Sequence, residues 1–174
     1  MNKVTEFSGR CWVIRTPDGE RIDDIDTDMI FHNAHLHITD PNEMARYAFG
    51  NLPGWKDFPE KAEQGDILIV GKNFGCGSSR QQAVDCFIAL GVQAIIGESF
   101  GAIYKRNAIN TGWPLLVCEG ILDTDIASGD EIKIDLENST IENVTKKHAY
   151  PNVEPFSSVQ KDIYVAGSLF ALGG

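Results

Sequence analysis

Gly71-Lys72-Asn73-Phe74-Gly75-Cys76-Gly77-Ser78-Ser79-Arg80 is the stretch from which the fold is read. Before it, Asp66-Ile67-Leu68-Ile69-Val70 is a short apolar, β-branched run of the buried-strand kind. After it, Ala83, Phe87 and Leu90 recur at helical spacing between Ser79 and Leu90, and Gly91 stands where a helix stops on a left-handed residue. The order is strand, glycine-rich turn, helix. Gly71, Gly75 and Gly77 permit a tight bend and a close approach to a ligand. Ser78, Ser79 and Arg80 are expected on the helix N-terminus, where free N–H groups and the dipole favour an anion. A helix start needs one capping serine, and the run from Asn73 to Arg80 is richer than that. It is not a Walker loop, since no Gly-Lys-Ser/Thr closes it. Nor is it a dinucleotide fingerprint, because Arg80 stands where the third glycine belongs.

Working outward, Gln93-Ala94-Ile95-Ile96-Gly97 and Pro114-Leu115-Leu116-Val117-Cys118 are further apolar strands, with a helix from Ala102 to Asn110 between them. Strands separated by helices of this length imply right-handed crossovers and a parallel sheet. Upstream, residues 9–15 read as a strand closed by the turn Thr16-Pro17-Asp18-Gly19, and Pro41 to Phe49 as a helix. Asn51 to Gln64 is a loop whose Trp55 is assigned to the core. Beyond Gly120 the pattern alternates, over Asp130–Leu136 and again over Ser139–Val144, as a half-exposed antiparallel hairpin does. A final helix over Ser157–Val165 and a flexible Gly173-Gly174 tail complete one α/β domain spanning residues 1–174.

The charge balance narrows function. A net charge of −10 argues against a nucleic-acid surface and against docking on anionic membranes, both of which need clustered Lys and Arg. An acidic chain that handles an acidic ligand must concentrate its cations locally, and Arg80 is such a place. No apolar run reaches membrane-span length and no secretory leader is visible in Met1–Ser8, so the cytoplasm is expected. Cys11, Cys76, Cys86 and Cys118 are widely spaced and suggest neither a disulfide scaffold nor a metal site.

Two polar stretches remain. Arg21-Ile22-Asp23-Asp24-Ile25-Asp26-Thr27-Asp28 is acid-rich, and Asp23 and Asp24 read as solvated surface. His32, His35 and His37 resemble a metal cluster at first sight, but no fourth ligand follows them.

Asn73-Phe74-Gly75-Cys76-Gly77-Ser78-Ser79-Arg80 resembles the signature of the small subunits of 3-isopropylmalate dehydratase, the swivel domain of the aconitase superfamily. Ile25-Asp26-Thr27-Asp28 upstream and Glu98-Ser99-Phe100-Gly101-Ala102-Ile103-Tyr104 with Asn107 downstream match the same family in order and spacing. The resemblance covers nearly the whole chain. It implies a swivelling β/β/α-type domain with a mostly parallel central sheet flanked by helices, plus the antiparallel C-terminal hairpin. It also implies a hydro-lyase of leucine biosynthesis that interconverts 2- and 3-isopropylmalate and is active only with a large subunit. By the same resemblance Ser78 is the base and Asp28 completes the catalytic constellation through a histidine of that subunit, with Asp26 fixing the loop. Arg80 binds a substrate carboxylate, supported by Ser79, Asn73 and Gly77. The [4Fe–4S] cluster is expected on the large subunit and none on this chain.

In this family the loop after Asp-Thr-Asp reads the variable part of the substrate, here through His35-Leu36-His37-Ile38. No Lys or Arg occurs from Ile22 through Ala45, so a third carboxylate would meet only a histidine, and an apolar or small tail is favoured. Many relatives carry Glu-His after the arginine, where this chain has Gln81-Gln82. Related hydro-lyases for homoaconitate, citraconate or a methylated malate stay open, as does a non-catalytic carboxylate- or phosphate-binding module. An RNA-binding relative is opposed by the charge.

Overall fold

The computed structural model describes residues 3–173; Met1, Asn2 and Gly174, and with it the end of the expected flexible tail, lie outside the described residues. Seven strands form one sheet in the order β4-β3-β2-β1-β5-β6-β7. They are β1 (Glu6–Val13), β2 (Ile67–Val70), β3 (Ala94–Gly97), β4 (Leu115–Val117), β5 (Glu131–Asp135), β6 (Thr140–Asn143) and β7 (His148–Ala149). The parallel half, β4-β3-β2-β1, is the crossover unit expected from the alternating strands and helices. The alternating segments pair as the expected hairpin, but they extend the same sheet from the other edge of β1. The sheet is therefore parallel in one half and antiparallel in the other. Strand β1 serves both, pairing with β5 over Glu6–Arg10 and with β2 over Cys11–Val13, which explains why it begins earlier than its apolar residues suggest.

Side-chain alternation assigns the two faces. Leu68, Val70 and Ile95 enter one core with Phe49, Phe74, Phe87 and Trp113, while Ile67, Ile69, Ala94 and Ile96 enter a second. The parallel strands are thus buried on both faces, which is why they read as unbroken apolar runs. In β5, Ile132 and Ile134 are buried while Glu131 is exposed, the one-sided pattern expected there. The helices are α1 (Thr27–Ile30), α2 (Pro41–Met44), α3 (Phe58–Lys61), α4 (Gln82–Ala89), α5 (Ala102–Asn110), α6 (Ser158–Ala166) and α7 (Leu169–Gly173).

The expected helix over 41–49 breaks. Helix α2 ends at Met44, a 3-10 turn follows, and Phe49 takes a left-handed φ of 59°. Its N–H donates to Ile30 O at 2.8 Å, and its ring is buried against Phe58 and Phe87. Burying that aromatic outweighs continuing the helix. Trp55 packs on the same core and donates its indole N–H to Arg15 O at 2.7 Å.

Candidate active site

The site lies beyond the carboxyl ends of β2 and β3, where open parallel sheets place their ligands. The three motifs meet there as a short ladder. Gly75 N–H donates to Ile25 O (2.7 Å) and Thr27 N–H to Cys76 O (3.0 Å) on one side; Gly101 N–H donates to Phe74 O (2.9 Å) on the other. Gly75 has φ 79°, and a Cβ there would lie 2.2 Å from the Tyr104 ring. Tyr104 is buried beneath the turn and donates its hydroxyl to Ala83 O at 2.8 Å, tying α5 to α4. Desolvation pushes its phenol well above the ordinary range, so it remains a donor.

The serines and arginine do not sit on the helix as expected. Helix α4 begins at Gln82, and Ser78, Ser79 and Arg80 form an irregular approach to it. The ladder keeps the chain extended to Cys76, and Thr27 Oγ1 then donates to Ser78 O at 3.0 Å, so further residues are needed to reach the helix. Among the described residues, no backbone N–H from Ser78 to Gln81 finds an acceptor in the chain. The anion-receptive character is therefore that of a loop of free N–H groups ahead of the helix.

Arg80 is held from behind. Its side chain is only 12% exposed; Nη1 donates to Asp28 Oδ1 at 3.1 Å and to Phe31 O at 2.7 Å. Asp28 also accepts from Asn33 N–H on Oδ1 (2.9 Å) and from Asn51 Nδ2 on Oδ2 (3.0 Å). The Asn33 N–H first, then Arg80, hold its carboxyl below the usual carboxylate range. Asp26 caps α1 by accepting from Met29 N–H at 2.8 Å, the loop-fixing part expected of it.

The other expected site residues divide. Ser78 and Ser79 are exposed, and Asn107 Nδ2 donates to Ser79 Oγ at 3.1 Å. Gly77 has φ 97°, and a Cβ there would stand in ordinary contact with Thr27 Oγ1 (3.6 Å) and Asp26 Cβ (3.7 Å). Asn73 turns away: it is a left-handed residue whose Nδ2 donates to Asp24 Oδ1 and whose N–H donates to Ser99 Oγ, so its bonds brace the turn. In the tetrad, His35 stacks on Tyr47 with ring centres 3.8 Å apart, and Leu36 and His37 are exposed. Ile38 is 3% exposed and packs in the core, so of the tetrad it is Leu36 and His37 that present their side chains at the surface.

Among the described residues, neither the Gln81 nor the Gln82 side chain hydrogen-bonds the Arg80 side chain. Gln81 Nε2 bonds Asp85 and Thr111, while Gln82 Nε2 donates to Leu36 O at 3.1 Å and tethers the tetrad to α4. Asp23 and Asp24 are exposed but not idle. Asp23 pairs with Arg21 at 3.0 Å and accepts from Lys72 N–H, and Asp24 holds Asn73. Arg21 also pairs at 2.9 Å with Glu98, whose side chain is buried and accepts from Leu122 N–H.

Among the described residues, no three Cys, His, Asp or Glu side chains come together as a metal site requires. Burial pushes the Cys11 thiol up to about 12 and Cys118 to about 11, and raises Cys86 and Cys76 too, so they are thiols rather than thiolates at neutral pH. His32 Nδ1 accepts from Ala34 N–H and His35 is committed to its stack, so the histidines do not converge on a point. No helix among the described residues is long and apolar enough to cross a membrane.

Residues 23–118, which contain all three motifs, match the aconitase C-terminal domain family. The chain is 44% identical over 147 residues to the 3-isopropylmalate dehydratase small subunit of Caldicellulosiruptor bescii, covering 84% of this chain and 86% of that protein. It is 41% identical over 148 residues to 3-isopropylmalate dehydratase small subunit 1 of Archaeoglobus fulgidus, covering 84% and 88%. The crystal structure of 3-isopropylmalate dehydratase from Methanocaldococcus jannaschii superposes with a TM-score of 0.83 at 34% identity, covering 96% of this chain and 92% of that one.

Proposed function

From the premise that this chain belongs to the 3-isopropylmalate dehydratase small-subunit family, we propose that it is the small subunit of a two-chain hydro-lyase that interconverts 2- and 3-isopropylmalate in leucine biosynthesis. The observation that carries the residue roles is the union of Ser78, a run of free N–H groups, and an arginine fixed from behind.

Dehydration removes a proton from the carbon next to a carboxylate and hydroxide from its neighbour. The iron–sulfur cluster and its Lewis-acid chemistry belong to the large subunit. On this chain, Ser78 Oγ takes the proton. A serine hydroxyl is far too weak an acid to act unaided, and the N–H groups that follow it stabilise the alkoxide as an oxyanion hole stabilises its anion. Arg80 spends one nitrogen on Asp28 and Phe31 O, which leaves Nε and Nη2 to hold a carboxylate in planar, two-point fashion. Its anchorage fixes the reacting carbon relative to Ser78. Asn107 donates to Ser79 Oγ, so the Ser79 proton is free for the same carboxylate. Leu36, exposed and apolar in a loop without Lys or Arg, meets the isopropyl tail.

The test is reconstitution with the large subunit and turnover on 2-isopropylmalate. Ser78→Ala should lose roughly a hundredfold to ten-thousandfold in kcat, the usual contribution of a positioned base. Arg80→Lys should lose most turnover because one ammonium cannot reproduce the fork. Full activity in Ser78→Ala would remove Ser78 as the base. Turnover confined to a different diacid would keep the reaction and change the substrate.

A further inference from the structure

Asp28 reaches Arg80 from a four-residue helix, an element too short to hold a side chain by itself. Its second oxygen is held from a different part of the fold. Asn51 Nδ2 donates to Asp28 Oδ2 at 3.0 Å and also to Asp28 backbone O at 3.3 Å, gripping the residue at both ends. Asn51 is itself rigidly placed. It lies between Phe49, fully buried among Phe58, Phe74 and Phe87, and Leu52, 3% exposed. Phe49 N–H is bonded to Ile30 O at the end of α1, so the Asn51 turn and the Asp28 helix are locked in register.

We infer that Asn51 is a positioning residue of the reaction: it fixes the plane of the Asp28 carboxylate and, through it, the direction of Arg80. An amide suits this place because it donates and carries no charge. The charged and titratable groups that act on Asp28 are Arg80 and His32, and a carboxylate at position 51 would set a like charge against Oδ2, the oxygen that Arg80 does not bond. The role rests on the proposed function of Arg80, but its first readout does not depend on turnover.

That readout is the Asp28 carboxyl titration, followed by NMR in the full chain, for Asn51→Ala and for Asn51→Asp, which keeps the shape and removes the donor. Both should raise the Asp28 pKa, Asn51→Asp more so, and by linkage both should melt below the parent at neutral pH, Asn51→Asp the lower of the two. In the reconstituted enzyme, both should lower kcat by about tenfold or more, the scale of a small misplacement at a reacting centre. In Asn51→Asp the acid limb of the pH profile should move upward, and Asn51→Gln should restore part of kcat. An unmoved Asp28 titration in both variants would overturn the inference whatever the turnover. A moved titration with unchanged kcat and pH profile would overturn the link to the reaction. A parent complex inactive on 2-isopropylmalate would count against the substrate assignment, leaving the titration result intact.

Discussion

A carboxylate held by a backbone N–H as well as by an arginine titrates differently from one held by the arginine alone. Asp28 is depressed first by the Asn33 N–H and then by Arg80. Because the folded pKa lies below the unfolded one, the stabilisation is fully present above about 3.9, the ordinary aspartate value. It is lost as pH falls through the lower, folded value. The Asp28–Arg80 contact should therefore persist unchanged from neutral pH to mild acid. Arg80→Gln should raise the Asp28 pKa only part of the way to its ordinary value, since the larger cause stays. A carboxyl-detected NMR titration decides this, and a complete return would show that the Asn33 bond does no more than offset the desolvation of the carboxylate. Ser78, Arg80 and Asp28 stood out in the sequence as candidates because their neighbours form a dense motif. Asn51 did not: between Gly50 and Leu52-Pro53 it looks like any turn residue, and its value comes from a partner 23 positions away.

At the level of elements, the strand–turn–helix reading was sound in kind and wrong at the helix start. Ser-Ser-Arg before an apolar helical face looks like a cap, yet α4 begins at Gln82 with no side-chain cap. What moves the boundary is the ladder to residues 25–27 and 99–101, a contact between distant segments that no local pattern contains. The same displacement gives Gln82 its work, since it is the first helical residue and reaches Leu36 O. Gln82→Ala keeps helix propensity and removes only that tether. Stability should change by no more than about 0.5 kcal/mol, as for a surface substitution. In the reconstituted enzyme, KM for 2-isopropylmalate should rise several-fold with kcat nearly kept, because a loosened tetrad loses binding rather than chemistry. A fall in kcat with KM unchanged would place Gln82 with Arg80 instead.

Across the whole molecule, the two ends of the parallel strands do different jobs. The three motifs of the candidate site follow the carboxyl ends, while Asp66 sits just before the other end of β2, roughly 17 Å of extended chain from Gly71. The Asp66 side chain is 4% exposed and gathers Arg10 Nη2 at 2.9 Å, Trp12 Nε1 at 2.7 Å and Glu63 N–H at 2.8 Å. Arg10 and Trp12 belong to β1, the strand shared by the parallel and antiparallel halves, so this carboxylate fastens the seam of the sheet. Asp66→Ala leaves those donors without their acceptor. Arg10 can turn toward water, but Trp12 Nε1 and Glu63 N–H are less able to do so. The expected loss is about 2–4 kcal/mol, read as a lower urea midpoint at unchanged slope. Turnover per folded molecule in the complex should stay at the parent level, because among the described residues no side-chain hydrogen bond links Asp66 to the Ser78 loop. If Asp66→Ala lowered kcat while the urea midpoint held, the two ends of the sheet would be coupled, and Arg80 would depend on the seam as well as on Asp28.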